Sequence, residues 1–252
     1  MAKIIAVANQ KGGVGKTTTA VNLSAGLGIL GKRVLLVDFD PQGNATSGVG
    51  LEKRALTSTV YDVLLDDLAP TDAIRATEYR LDVLPANIDL AGAEIELAQV
   101  EKREFRLKKA LDTVREAYDF ILIDCPPSLG LLNLNALTAA DALLLPIQCE
   151  FYALEGMTAL LDTMKLVRES LNPALTVAGV LLTMYDYRTN LSQQVVEEVR
   201  KYFPDEVYDT VIPRTVRLSE APSYGMPVVF YDAKAKGAEV YMNLAKEVTK
   251  RG

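Results

Sequence analysis

The chain has 252 residues, of which 49% are hydrophobic and 24% are charged, a size and composition typical of one large α/β domain and unlike disordered, collagenous or membrane proteins. It contains no histidine, which removes the commonest general base and metal ligand, and its two cysteines, Cys125 and Cys149, lack the spacing of a zinc site and cannot form a disulfide scaffold. The net charge of −6 disfavours polyanion binding through the overall field, although a local basic patch can still hold DNA.

Short apolar runs alternate with amphipathic segments along the whole chain. This alternation is typical of βα units, so we expect an α/β fold with a doubly wound, mainly parallel sheet flanked by helices on both faces. No linker or repeat marks a boundary, and we expect one domain over residues 1–252. The predicted strands are Ile4–Ala8, Arg33–Asp38, Leu81–Leu84, Phe120–Asp124, Ala142–Ile147, Val177–Thr183 and Val207–Ile212.

Two segments have the composition of packing helices. Residues 89–117 are rich in Glu, Lys, Leu and Ala, which favour helix. Residues 154–171 carry Leu, Met and Val at helical spacing until Asn172 and Pro173 end the pattern.

A glycine-rich loop lies between the first predicted strand and the helical residues 20–30. Glycines let consecutive backbone N–H groups turn toward phosphate oxygens, and the helix N-terminus adds its positive end. Lys16 would reach the β- and γ-phosphates of ATP, and the Thr17 hydroxyl would complete the coordination of Mg²⁺. The pattern G-x-x-x-x-G-K-[ST] is not matched in full, because Gln10 replaces its first glycine and a second lysine follows. The residues expected to bind the nucleotide are Lys11, Gly12, Gly13, Val14, Gly15, Lys16, Thr17 and Thr18.

Two further predicted strands end in aspartates. One runs into a turn-rich loop that contains Asp38 and Asp40, and another ends at Asp124. Ligands of α/β proteins bind at the carboxyl ends of the strands. We therefore expect Asp40 to orient the attacking water and to contribute to the Mg²⁺ site, and Asp124 to hold the Mg²⁺ shell through water, as a Walker B aspartate does. The alternatives are turn capping by Asp38 and Asp40 and an ordinary strand-end role for Asp124.

The loop from Lys11 to Thr18 resembles the deviant Walker A loop of the ParA/MinD ATPases. In that family the extra lysine, here Lys11, reaches across a dimer interface to the partner's phosphates and neutralises charge on the transferred phosphoryl group, much as an arginine finger does. The resemblance implies a homodimer that ATP holds together, with Lys11, Lys16 and Asp40 as catalytic residues and with ATP and Mg²⁺ as cofactors.

The resemblance is closest to the chromosomal ParA/Soj partition ATPases. It includes residues 38–48, which look like their switch segment, and residues 183–190 and 211–223, which look like their C-terminal signatures. The implied function is slow ATP hydrolysis that switches DNA binding during chromosome or plasmid segregation. A ParB/Spo0J-type DNA-binding protein is the implied partner that stimulates hydrolysis.

The same resemblance implies roles for five residues in the last third of the chain. Met184, Pro213 and Arg214 are expected to border the adenine. The implied dimer binds double-stranded DNA without sequence preference, through basic side chains that contact phosphates. Arg188 and Arg217 are the expected contacts, and a surface salt bridge is the alternative for each.

Membrane association is the first competing hypothesis. A MinD-type ATPase needs a C-terminal amphipathic helix with a hydrophobic face, and residues 243–252 are too sparse in large apolar side chains to hold a bilayer. Residues 1–3 lead directly into an apolar strand without the features of a secretory signal. We therefore expect a cytoplasmic, nucleoid-associated protein that does not bind membranes.

A conventional P-loop enzyme, such as a small-molecule kinase or an ATP-dependent ligase, is the second alternative. It would place a substrate pocket opposite the γ-phosphate, and Lys11 argues against that arrangement. A GTPase would need a base-reading N-K-x-D element, which the later predicted strands lack.

Overall fold

The computed structural model describes residues 1–128, 130–150 and 155–251, and for residues 155–159 it describes the backbone. The strands are β1 (Lys3–Val7), β2 (Val34–Asp38), β3 (Arg75–Ala76), β4 (Asp82–Leu84), β5 (Phe120–Asp124), β6 (Ala142–Gln148) and β7 (Thr176–Thr183). They form one sheet in the order β3-β4-β2-β5-β1-β6-β7. The short edge strand β3 is antiparallel to β4, and the other pairs are parallel.

Helices cover both faces of this sheet, so the predicted α/β fold with a mainly parallel sheet is confirmed. Ile4 and Ala6 of β1 belong to one apolar cluster, whereas Ile5 and Val7 belong to the other, because successive side chains of a strand point to opposite faces. In the described part of the chain the helices are α1 (Lys16–Ile29), α2 (Asn44–Gly48), α3 (Val60–Leu65), α4 (Pro70–Ala73), α5 (Leu90–Glu96), α6 (Arg106–Val114), α7 (Leu131–Ala139), α8 (Glu155–Ser170), α9 (Asn190–Tyr202), α10 (Val216–Glu220), α11 (Val228–Tyr231) and α12 (Lys236–Arg251).

The three central strands bring the carboxylates of the sequence prediction to one edge. β5 lies between β1 and β2, and all three are buried apolar runs. In the register of the sheet, Asp124 is level with Val7 on one side and with Asp38 on the other. The glycine loop, which follows Val7, therefore starts beside both aspartates.

Six of the predicted strands lie within one or two residues of the observed bounds, but the strand predicted at Val207–Ile212 is wrong. An isolated bridge at Val207 joins this segment to β7. The backbone N–H groups of Asp209 and Thr210 instead donate to the carboxylate oxygens of Glu247 on α12, at 2.8 and 3.1 Å. This carboxylate draws the middle of the segment away from a regular ladder. The two-residue strand β3 was not predicted.

The two predicted helical segments differ in outcome. Residues 89–117 form α5 and α6, which are separated by short 3₁₀ turns and by Lys102 in the left-handed region, with a φ of 54°. Residues 154–171 correspond to α8, although Leu154 lies outside the described residues. No helix in the described residues is long and apolar enough to cross a membrane.

Candidate nucleotide-binding site

The loop between β1 and α1 leaves the first turn of α1 open to an anion. Gly13 and Gly15 have φ values of 75° and 89°, a backbone conformation that other residues rarely adopt. Gly15 precedes the helix and supplies no side-chain cap, and no acidic residue lies in the first turn. The free N–H groups of this turn can therefore bind phosphate oxygens, together with the positive end of the helix dipole.

The two lysines of the loop occupy different environments. Lys16 is buried, and its ammonium group donates to the carbonyl oxygen of Lys11 at 3.1 Å. Burial lowers the pKa of Lys16, and Asp124 offsets part of that effect. Lys11 is half-buried, and its ammonium group has no ion pair or hydrogen bond with any described residue. A phosphate would thus compensate Lys16 inside the loop, while Lys11 remains available at its rim.

Three aspartates stand at the carboxyl edge, and their hydrogen bonds distinguish them. Asp38 is fully buried, and its Oδ2 atom accepts hydrogen bonds from the backbone N–H and the hydroxyl of Thr46, both at 2.7 Å. Asp40 accepts a hydrogen bond from the backbone N–H of Gln42 at 2.9 Å through Oδ1. The turn-capping contact is therefore present at Asp40, but it occupies one oxygen of the carboxylate.

Asp124 is the exception, because both of its oxygens are buried and neither has a hydrogen-bond partner among the described residues. Burial raises its pKa well above the usual range, and the negative charge of Asp38 adds to the rise. The hydroxyl of Thr17 lies close enough to oppose part of this rise, without forming a hydrogen bond. An unpaired buried carboxylate is costly unless a cation compensates it.

These residues fit a magnesium ion. The hydroxyl of Thr17 and the unsatisfied carboxylate of Asp124 are hard oxygen donors, which Mg²⁺ prefers. Among the described residues no group of three or more His, Cys, Asp or Glu side chains could hold a metal by itself. The remaining ligands would have to be phosphate oxygens and water, as is usual for Mg²⁺ at nucleotide sites.

A cavity of about 310 Å³ opens beside the first turn of α1. The backbone N–H of Tyr185 donates to the carbonyl oxygen of Ile212 at 3.0 Å, and this contact brings the end of β7 to the segment around residue 213. Met184 has a φ of 52°, which turns the chain at the cavity wall. The cavity is lined by Gly15, Thr18, Thr183, Met184, Ile212, Pro213, Arg214, Thr215, Leu218, Ser219 and Tyr241.

The structure thus brings Met184, Pro213 and Arg214, the residues expected to border the adenine, together next to Thr18. Sequence reasoning missed Tyr241 of α12, which also lines the cavity. Its hydroxyl lies 3.3 Å from the hydroxyl of Thr19 on α1. No local motif marks Tyr241. The available signal was the helical pattern of its segment, which places the tyrosine on the side of the helix that is buried.

The two arginines predicted to contact DNA lie outside this cavity. The side chain of Arg188 is 87% exposed and pairs with both oxygens of Asp186, at 2.9 and 2.7 Å. Arg217 pairs with Glu220 at 2.8 Å and with Asp232 at 3.3 Å. Both guanidinium groups therefore contact carboxylates, so the salt-bridge alternative is present at each.

Comparisons with known proteins agree on one family. A family model described as an AAA domain matches residues 2–177. The sporulation initiation inhibitor protein Soj of Bacillus subtilis is 63% identical over the full length of both chains. The chromosome partitioning protein ParA of Myxococcus xanthus is 55% identical over 99% of this chain and 88% of its own length.

Among solved structures, one described as cobyrinic acid a,c-diamide synthase from Mycobacterium smegmatis, with bound ATP analogue and magnesium, superimposes with a TM-score of 0.88. It is 42% identical and is matched over 99% of this chain and 95% of its own. The sequence similarity to Soj and ParA, the deviant glycine loop and the three-layer fold point the same way. The chain belongs to the ParA/Soj family of chromosome-partitioning ATPases.

Proposed function

We propose that the protein is an ATP-dependent, dimerising DNA-binding ATPase that acts as a nucleotide switch in chromosome or plasmid segregation. The observation that supports this most is the environment of Lys11, a cation at the rim of the phosphate loop without a partner among the described residues. Lys16 and the first turn of α1 can compensate the phosphates from within one subunit. Lys11 is then free to contact the nucleotide of a second subunit, and ATP would hold the dimer together.

Hydrolysis would release this dimer. Asp40 lies in the loop between β2 and α2. One of its carboxylate oxygens accepts a hydrogen bond from the backbone N–H of Gln42, and the other has no hydrogen bond with any described residue. We assign Asp40 the role of orienting the attacking water through that second oxygen. Mg²⁺, held by Thr17 and Asp124, would neutralise charge on the phosphates. A single positioning carboxylate in place of a strong general base is consistent with slow turnover.

DNA binding is assigned to Arg188 and Arg217, which are exposed and can contact phosphates without reading bases. Their carboxylate partners compete with DNA, so each arginine alone binds weakly. Exposed ion pairs contribute little, about 0.2–1 kcal/mol each, and a phosphate can therefore displace them. A dimer has twice as many basic contacts as one subunit. Because ATP would hold the dimer together, DNA affinity would depend on ATP. We assign stimulation of hydrolysis to a ParB/Spo0J-type partner at the nucleoid.

A membrane-bound switch of the MinD type is disfavoured by the packing of α12. The apolar side of this helix, including Tyr241, Leu244 and Val248, is buried in the core that it shares with α1. Insertion into a bilayer would require the helix to leave this core. The apolar side of α12 is thus used for packing within the fold.

A small-molecule ligase is the other function to test directly, because the Mycobacterium smegmatis structure is described as a diamide synthase. The identity to Soj is higher, at 63% against 42%. The two functions differ in what limits turnover. A ligase hydrolyses ATP when its small-molecule acceptor is present and is indifferent to DNA, whereas a partition ATPase is slow alone and is accelerated by DNA with its partner protein.

The deciding experiment is co-sedimentation with non-specific DNA in the presence of ATP, ADP or no nucleotide, across a salt series. We expect DNA binding with ATP only. In a plot of the logarithm of DNA affinity against the logarithm of salt concentration, Arg188→Ala and Arg217→Ala should each reduce the slope by about one for every phosphate that the arginine neutralises. Arg33→Ala is the matched control, because Arg33 is also exposed and also pairs with both oxygens of an aspartate, Asp119, but precedes β2 at the opposite edge of the sheet. Equal binding with ATP and ADP would overturn the proposed switch.

A further inference from the structure

Residues 216–232, which we call the relay loop, form a closed loop between the cavity wall and α12. The loop contains α10, a 3₁₀ turn at Ala221–Tyr224 and α11. Its two ends meet at Arg217, which pairs with Asp232 at 3.3 Å and lies 5.9 Å from the ring centre of Tyr231. Any movement of the middle of the loop therefore changes the surroundings of Arg217.

The middle of the relay loop is joined to the nucleotide-binding helix by one buried side chain. Asn22 of α1 donates from Nδ2 to the carbonyl oxygen of Thr18 at 2.8 Å. Its Oδ1 atom accepts a hydrogen bond from the backbone N–H of Val228 at 2.6 Å, across 206 residues of sequence. Asn22 is only 5% exposed, so water cannot replace these bonds easily. One amide thus connects the phosphate loop to the relay loop.

The relay loop also touches the helix that follows Asp40. Gly225, with a φ of 64°, lies so close to Gly50 that a Cβ atom at Gly225 would come within 2.9 Å of the Gly50 Cα atom and within 3.2 Å of the Ser47 carbonyl oxygen. Gly50 lies two residues after the end of α2, and α2 is held to the sheet edge by the bonds between Thr46 and Asp38. The loop is thus in contact with both elements that carry nucleotide-site residues.

There is room for the relay loop to shift. Beside the contacts at Asn22 and Gly225, a second cavity of about 430 Å³ lies between the loop, α1 and α2. Thr17 and Thr18 line this cavity on one side, and Ser223 and Met226 line it on the other. Packed cores respond to small displacements by moving whole elements, and a space at this position lets the loop move as a unit.

We propose that Asn22 is a positioning residue through which the nucleotide state of the phosphate loop is transmitted to Arg217 by the relay loop. The proposal rests on the proposed function, since it deepens the assignment of Arg217 to DNA binding. When phosphates order the first turn of α1, the carbonyl of Thr18 and the amide of Asn22 move with it. Val228 follows through its hydrogen bond, and the loop then changes how Arg217 is held between Glu220 and Asp232.

The first test measures DNA affinity with ATP and with ADP in Asn22→Ala. Allosteric couplings commonly amount to about 5- to 150-fold, and we expect the ratio of the two affinities to fall by about fivefold or more. Because coupling is reciprocal, the factor by which DNA raises ATP affinity, divided by the factor by which it raises ADP affinity, should fall by the same amount, whereas ATP affinity without DNA stays close to that of the wild type. A merely destabilised protein would not show this matched loss.

Asn135→Ala is the matched control. Asn135 is a fully buried asparagine of α7 that bonds to the backbone of Leu107, Arg103 and Leu131, far from the relay loop. It should lower stability without changing the ratio of affinities. Gly225→Ala provides a second variant, since it crowds Gly50 and acts on the loop without touching α1. Unchanged ratios in both Asn22→Ala and Gly225→Ala would overturn the proposal.

The second test separates the relay from the role of Arg217. Both native cysteines are buried, so a Ser223→Cys variant offers one exposed thiol on the relay loop for a labelling reagent. We expect its labelling rate to change with ATP, and the change to disappear when Asn22→Ala is added. If the labelling rate responds to ATP as expected but DNA binding does not depend on Arg217, the transmission through Asn22 is supported and the assignment of Arg217 to DNA binding is wrong. If DNA binding depends on ATP while the labelling rate does not, the transmission through Asn22 is wrong and the proposed ATP-dependent DNA binding is supported.

Discussion

The ammonium group of Lys16 donates a hydrogen bond to the carbonyl oxygen of Lys11, with 3.1 Å between the two atoms. The side chain of one lysine thus fills the interior of the loop, and the side chain of the other is left at its rim. The two positions predict separable losses of function.

We predict that Lys16→Ala strongly weakens nucleotide binding, whereas Lys11→Ala retains binding to the monomer and loses ATP-dependent dimerisation. Loss of a charge-assisted hydrogen bond to phosphate costs about 2–3 kcal/mol, or roughly 30- to 150-fold in Kd. Titration with a fluorescent nucleotide measures the first effect, and light scattering with ATP measures the second. Dimer formation by Lys11→Ala equal to that of the wild type would contradict the role in trans.

Gly12→Val should fold and bind ATP as a monomer but fail to dimerise. Among the described residues nothing lies within 4 Å of a Cβ atom built at Gly12, so the single subunit accommodates a larger side chain. The crowding arises only where two loops approach each other. Gly13→Val is the contrasting variant, because the φ of 75° at Gly13 strains any side chain within the monomer and should impair nucleotide binding itself. Sizing of both variants with ATP distinguishes the two effects.

Asp40→Ala should bind ATP and DNA but lose turnover, and so accumulate as a dimer on DNA. Loss of a positioned water typically lowers the rate by about 10²-fold or more. The substitution also removes the hydrogen bond to Gln42, which is a local turn contact. Phosphate release and DNA co-sedimentation are measured on the same preparation. Hydrolysis near the wild-type rate would remove Asp40 from the mechanism.

The buried carboxyl of Asp38 makes the nucleotide-free protein more stable in acid. Burial raises its pKa from 3.8 to about 6, and hydrogen bonds from Thr46 oppose part of the rise. The folded protein keeps this proton where the unfolded chain has lost it. The contribution of Asp38 to the free energy of unfolding should therefore be largest below about pH 4 and fall by up to about 3 kcal/mol as pH rises through about 6.

Thermal unfolding without nucleotide, at about pH 4.5 and about pH 7.5, checks this dependence. Asp38→Asn should reduce the slope, because the amide has no charge to bury, and the slope that remains is the share of Asp124, whose pKa burial also raises. Asp119→Asn is the control. Arg33 lowers the pKa of Asp119 to about 2, so removal of this carboxyl should leave the slope between about pH 4.5 and about pH 7.5 unchanged. A slope of the same size in Asp38→Asn would assign the effect to another group.

Local patterns predicted the fold and the phosphate loop well. The strand, the glycines and the helix that build the loop are consecutive in sequence, and the parallel order of the strands brings their carboxyl ends to one edge. Asp38 and Asp124 could therefore be placed at the site from their positions at strand ends. The pairing of Met184 with Pro213 and Arg214 depended on family resemblance, because no local signal joins them.

Features that depend on distant side chains could not be predicted. The segment at Val207–Ile212 has the composition of a strand, but Glu247 binds two of its N–H groups and interrupts the ladder. The bond from Asn22 to Val228 spans most of the chain. Asp38 accepts hydrogen bonds from Thr46, whereas Asp124 has no hydrogen-bond partner among the described residues. This difference also depends on contacts that hydrophobic periodicity does not predict.

The packing of α12 against α1 has a consequence for biosynthesis. β1 lies between β5 and β6, and α1 is covered by α12, with the hydroxyl of Tyr241 beside that of Thr19. The packing of α1 is thus completed by a helix whose Tyr241 lies 222 residues after Thr19, and contacts of such long sequence separation form late. A nascent chain therefore cannot surround α1 with its final packing partners until α12 has been translated.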